Sequence, residues 1–286
     1  MSEETRTALW RCARGALERA LCSTFAAFGR PVILRSTYAE VVAQGCTGAE
    51  LLELRHVAHR DFPRVARVVC ALLRCKLQPT RAKMLCYGSR AAPDRVKPVF
   101  RLPNGDEAAG IWSAHARLAV VRFGQAVPIR RVLVHECAHA LIHHFAGGFD
   151  YPFAILEGYA MLIESMVVTG RPPEPTSRRT GPAHARAQGR CMTVQGLLRF
   201  DWLEGPSATS VDYDAFLEGV VCFMGFLGEL GNPHGRLVKT MLYELQEARA
   251  DTWDKVYEWL LRVTSLSASA LEGKFLTYVT RNRGYT

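Results

Sequence analysis

The stretch Arg131–Phe145, "RVLVHECAHALIHHF", sets one carboxylate and four imidazoles among Val, Leu, Ala, Ile and Phe. Pro128 stands just ahead of it, where a missing N–H costs a helix nothing, and Gly147-Gly148 follows. This punctuation predicts one helix that ends before the glycines. His135 and His139 are one turn apart on it and share a face, so both imidazoles can reach one ion. Val132, Leu133, Val134, Ala138, Ala140, Leu141 and Ile142 imply that the helix is largely buried. A buried Glu with two buried His is costly unless the groups are paired or bound to something, and a divalent metal resolves that cost.

The string His135-Glu136-Cys137-Ala138-His139 is the zinc-binding HExxH arrangement. In it Glu136 sits beside the metal without binding it and can take a proton from a metal-bound water. A zinc site of this kind needs a third protein ligand. Glu157, in "ILEGYAMLIE" (Ile155–Glu164), is suitably placed, because "GGFDYP" (Gly147–Pro152) lets the chain reverse and a second helix, about Phe153 to Val168, lie against the first. Two His and one Glu with a fourth position open is the hydrolytic form of the site. His143 is one turn beyond His139, but three ligands from one straight helix do not readily surround a tetrahedral ion. His143 and His144 therefore read as helix-end or cleft-lining residues, Asp150 as a helix-end group or a support to a ligand, Glu164 either as a group that orients a ligand or pairs with a cation or as an ordinary polar contact, and Cys137 as packing.

Upstream, residues 5–27 carry a helical apolar pattern, and "PVILRST" (Pro31–Thr37) predicts a short strand. Helices are expected over Gly48–Arg60 and Phe62–Lys76, and a strand over Ala82–Gly88. Ala91–Gly110 is loop-rich, with Asn104-Gly105 as a turn signal, and Ile111–Gly124 predicts two short strands or one bent one. Beyond Gly170, the segment Pro173–Arg190 is basic and rich in Pro and Gly. The remainder is helical in pattern: Tyr213–Leu230 with Asp212 as cap, a helix to about Glu247, one capped by Asp251, and a last one capped by Ser267 or Ser269. The short stretch "MTVQGLLRFDWL" fits no element clearly.

The organisation expected from this pattern is α+β. Residues 1–80 form a mainly helical region with a short strand, 81–170 the core that carries the ligands, 171–190 a basic linker or loop, and 191–286 a helical subdomain. A chain of 286 residues can bury a substantial core. Its apolar runs are far too short to span a membrane, and the N-terminal stretch lacks the basic head and apolar body of a signal peptide. The nine cysteines are widely spaced with no CxxC, which supports neither a disulfide framework nor a cysteine zinc knuckle. A cytoplasmic location is the resulting expectation. Net charge is +9, but the Arg residues are scattered, so nucleic acid is not the favoured partner. If it were one, Arg178-Arg179 with Arg186 and Arg190 would be the contact.

These residues resemble the gluzincin class of zinc metallopeptidases, which place HExxH on one helix and a ligating Glu on the next. "EGYAMLIE" (Glu157–Glu164) is locally closest to the aminopeptidase N-like branch and to small bacterial gluzincin-like proteins, and the likeness covers about Pro128 to Gly170. It implies a zincin-like fold, Zn²⁺ held by His135, His139 and Glu157, Glu136 as general base, and a peptide or protein as substrate. It also implies that "ARLAVVRFG" (Ala116–Gly124) is the edge strand along which an extended substrate pairs. Tyr159, Tyr213 and His184 are the candidates for stabilising the oxyanion. The Gly-x-Met-Glu-Asn stretch that recognises a free amino terminus is missing, so aminopeptidase specificity does not follow. The rival readings are a non-catalytic zincin-like scaffold and a basic nucleic-acid-binding protein.

Overall fold

The computed structural model describes residues 31–91, 109–113, 117–124, 127–171, 193–200, 210–230 and 236–282. The expected helix over 5–27, the Asn104-Gly105 turn and the basic segment 173–190 lie outside them. The chain divides into two compact units. The first takes the described residues up to Ala66 and those from Gln78 to Leu141; the second takes Arg67–Leu77 and the residues from Ile142 onward.

In the first unit five strands form one sheet: β1 Val32–Arg35, β2 Ala39–Gln44, β3 Ala82–Tyr87, β4 Gly110–Ser113 and β5 Leu118–Arg122, in the order β1-β2-β3-β5-β4. β1 and β2 pair antiparallel, β2, β3 and β5 run parallel, and β4 closes the far edge antiparallel to β5. Two helices, α1 (Gly48–Arg60) and α2 (Phe62–Leu73), make the crossover that parallel pairing of β2 and β3 demands. Thr47 caps α1 in a reciprocal box with Glu50. Phe62, Val65, Ala66, Val69, Cys70 and Leu73 form the buried stripe of α2. α2 stops at Leu73 rather than at Lys76, because Arg74 turns left-handed and the Cys75 N–H returns to the Cys70 carbonyl.

Alternation divides the sheet into two faces. Val42, Leu85, Tyr87 and Val120 pack together with Ile111 and Leu118 on one. Ala39, Val41, Ala43, Met84, Cys86, Ala119 and Val121 form the other, all buried and mostly small. Gly110 lies opposite Val121 and meets Val132 of α3 (Ile129–Phe145) there. This geometry corrects one expectation: the strand within Ala116–Gly124 is β5, which is interior, and among the described residues the edge is β4. β5 is drawn inward because it pairs on both sides, in parallel with β3 and antiparallel with β4.

The second unit is helical, with α4 Phe153–Val168, α5 Val194–Arg199, α6 Ser210–Leu230, α7 Arg236–Glu247, α8 Trp253–Thr264 and α9 Ala268–Asn282. Phe153, Phe200 and Phe216 form a cluster of near-parallel rings, their centroids separated by 5.3 Å (Phe153–Phe216), 4.1 Å (Phe200–Phe216) and 6.4 Å (Phe153–Phe200). Phe275 meets Phe223 and Phe226 edge-on. The uncertain stretch contains α5, whose N-terminus is capped by Thr193 and by the Glu272 carboxylate, which accepts from the Val194 and Gln195 N–H groups. Two expected caps are corrected. α6 begins at Ser210, so Asp212 lies inside its first turn. At α8 the cap residue is Thr252, and Asp251 instead pairs with Lys255 at 2.7 Å. Ser267 does cap α9, accepting from the Ala270 N–H. A mixed strand-helix part bearing the HExxH helix, followed by a helical part, is the zincin-like α+β arrangement. No helix among the described residues is long and apolar enough to cross a membrane.

Candidate metal centre

α3 starts on Pro128, whose carbonyl accepts from the N–H groups of Arg131 and Val132. It ends in two left-handed glycines: the Gly147 N–H returns to His144 and the Gly148 N–H to His143. A side chain at either position would strain that turn, which explains the glycine pair. Between these ends the helix is buried nearly all round. Leu133, Val134, Cys137, Ala138, Leu141 and Ile142 are completely enclosed.

The start of α3 is pinned from the first unit. Arg130 donates from Nε to Asp61 Oδ2 at 2.7 Å and from Nη2 to Asp61 Oδ1 at 3.0 Å. Asp61 is fully buried where α1 ends and α2 begins. Two parallel bonds to one carboxylate fix both distance and direction.

One turn further, His135 and His139 bring their Nε2 atoms to 3.1 Å of each other, with rings inclined at 76°. Glu157, in the first half of α4, joins them, so that one ligand atom from each of the three lies within 4.8 Å of the others. His139 and Glu157 are buried and His135 is half-buried. The donor set fits zinc. Bonds of about 2.0–2.1 Å at tetrahedral angles put two ligand nitrogens about 3.3 Å apart, close to the spacing the two imidazoles already hold. Two imidazoles and one carboxylate, with a second carboxylate at Glu136 that is also buried, form a cluster whose burial a dication offsets. This His-His-Glu cluster in HExxH spacing is the gluzincin arrangement.

Glu136 points to the sheet, where its carboxylate lies against Gly110 of β4. Cys137 is enclosed and its thiol is pushed well up by burial. His144 is exposed with its ring edge-on to Phe145, His143 is half-buried near Gly148, and Asp150 is exposed. Glu164 is half-buried on α4. Tyr159 is fully buried, and its hydroxyl donates to the Val238 carbonyl on α7; one helical turn along, Leu242 accepts from Tyr151 in the same way. Burial, the leading cause, raises both phenols. Tyr213 is in the backbone of α6 with its side chain outside the described residues, and His184 is wholly outside them.

Two contributors escaped the sequence reading. Nothing in the charge pattern singles out Asp61 as the partner of Arg130, since both look like ordinary surface residues. Gly110 carried only the signal of a glycine closing the loop-rich Ala91–Gly110 segment, whereas it is the first residue of β4. No protein-family model matches the chain, and no curated protein matches it either.

Proposed function

We propose that the chain is a zinc-dependent metallopeptidase that hydrolyses bonds in a peptide or protein substrate. The observation that carries this is the convergence of Glu157 with His135 and His139, the latter two in HExxH spacing that also carries a second buried carboxylate, Glu136. That constellation favours hydrolysis over a scaffold or a nucleic-acid-binding role. Zinc, when bound, supplies Lewis acidity that makes a water acidic enough to attack near neutral pH and polarises the scissile carbonyl.

The protein's own residues divide the remaining work. His135, His139 and Glu157 would hold the ion. A carboxylate oxygen of Glu136 accepts the proton from the attacking water and delivers it to the leaving nitrogen. β4, as the sheet's edge, offers backbone groups with which an extended substrate can pair. The oxyanion donor is sought in Tyr213 and His184, since the Tyr159 hydroxyl already donates to Val238. A cytoplasmic setting goes with this reading and suits thiols kept as buried apolar groups, such as Cys86 and Cys137.

Two measurements test the proposal. Purified protein is expected to hold one zinc per chain and to cleave members of a broad fluorogenic peptide library. Glu136→Gln is expected to keep its zinc while turnover falls by roughly 10²–10⁴-fold. A folded protein that never takes up stoichiometric zinc overturns the reading, and a fully active Glu136→Gln variant overturns the base assignment.

A further inference from the structure

Gly110 is the first residue of β4, and its φ is not in the left-handed region. Any residue could adopt its backbone conformation, so conformational freedom is not what a glycine supplies there. A methyl group on its Cα would lie 2.7 Å from Glu136 Oε1, 2.8 Å from Glu136 Cγ and 2.6 Å from Val132 Cγ1. Carbon atoms in contact settle at about 3.5–4.0 Å, so all three approaches are closed to a side chain. Val132 and Glu136 are one turn apart on α3, and the bare Cα of Gly110 is seated on that strip of the helix. The most mobile of the obstructing groups is the Glu136 carboxylate.

We propose that Gly110 is a positioning residue for Glu136. By carrying no side chain it leaves the volume in which the carboxylate stands against β4, and any larger residue turns that carboxylate away without disturbing His135, His139 or Glu157. The proposal rests on the reading of Glu136 as the base. It also ties the edge strand to the chemistry, because the residue that opens β4 is the one in contact with the base.

The test uses the full chain with Gly110→Ala, assayed on a library peptide that the wild type cleaves. Zinc stoichiometry and affinity are expected to stay within about 3-fold of the wild type and KM to change little, while kcat falls about 100-fold, the scale of a misplacement near 1 Å. Adding Val132→Ala relieves the second collision and is expected to leave kcat low. A readout free of turnover is the melting temperature of the zinc-free protein. Gly110→Ala is expected to lower it in the wild type and to lower it much less in a Glu136→Ala background, because the methyl then has room. Wild-type kcat in Gly110→Ala, recovery of kcat on adding Val132→Ala, or equal melting losses in both backgrounds overturns the proposal. A wild type that cleaves no peptide overturns the peptidase reading and this proposal together; an active wild type with an additive melting cycle overturns this one alone.

Discussion

At the scale of single residues, the three ligands should be separable from the titratable groups around them. His139 and Glu157 are both buried and converge with His135, whereas His144 is exposed and occupied with Phe145. Replacing a supporting group of a metal site typically weakens affinity about 10–100-fold, so loss of a ligand should exceed that. His139→Ala and Glu157→Gln are each expected to weaken zinc binding more than about 100-fold in competition with a chromophoric chelator, and His144→Gln to leave it unchanged. Equal effects from all three would mean that the ion is bound elsewhere. The part of this site that is local in sequence was the part that could be read from it. His135 and His139 are fixed relative to each other by helical periodicity alone, and Glu157 needs only the next helix and the turn at Gly147-Gly148. Gly110 was not readable, because its contact with Glu136 exists only once the order of the sheet is known.

Elements were legible where their ends carry chemistry. The boundaries of α1 and α4 match the sequence reading because Thr47, Glu50, Pro152 and Gly170 punctuate them. β2 gave no such signal: in "AEVVAQ" only two residues are β-branched, and the strand exists because β1 and β3 flank it. The exchange of β5 for β4 at the sheet edge has the same origin, since parallel pairing depends on distant partners. Two packing contacts then hold the ligand-bearing helices. Removing the guanidinium from the Arg130–Asp61 pair leaves a fully buried carboxylate, and breaking a buried pair costs about 3–5 kcal/mol. Arg130 is partly exposed, so Arg130→Ala should fall near the low end, about 3 kcal/mol by urea unfolding, with Arg130→Lys intermediate because it keeps charge but not the fork. On α4, a methyl at Gly158 would lie 2.8 Å from Met224 Sδ of α6. Overpacking costs about 1–3 kcal/mol, and a helical Gly→Ala change returns about 1 kcal/mol. Gly158→Ala should therefore be destabilising by about 1 kcal/mol in the wild type, and stabilising relative to the Met224→Ala parent when Met224→Ala is already present. A stabilising Gly158→Ala in the wild type would show that Met224 swings aside without cost.

For the molecule as a whole, the perturbed groups predict an asymmetric dependence of stability on pH. Burial pushes the thiols of Cys46 and Cys70 up to about 12, and raises Cys86, Cys137, Tyr151 and Tyr159 as well. These groups belong to both units, so the effect is not confined to one. Each is neutral when protonated, and the folded chain keeps the proton to higher pH than the unfolded chain does. The unfolded chain releases protons from its thiols near pH 9 and from its phenols near pH 10, so their contribution is complete below about pH 9 and declines as pH rises toward 12. The acidic side behaves differently. Side-chain hydrogen bonds hold Glu40, Asp251 and Asp254 below the usual carboxylate range, through Arg35, Lys255 and Thr252 respectively. Their contribution is present above about pH 4 and lost as pH falls, but such exposed pairs are screened and weak. Urea midpoints of the zinc-free protein between pH 5 and pH 11 should thus be nearly level up to about 9 and then fall steeply. Tyr151→Phe with Tyr159→Phe should flatten the fall above pH 10 while lowering the plateau, because each hydroxyl also donates to a carbonyl of α7. A midpoint that stays level to pH 11 would show that these phenols and thiols reach solvent in the folded protein, against the burial that raises them.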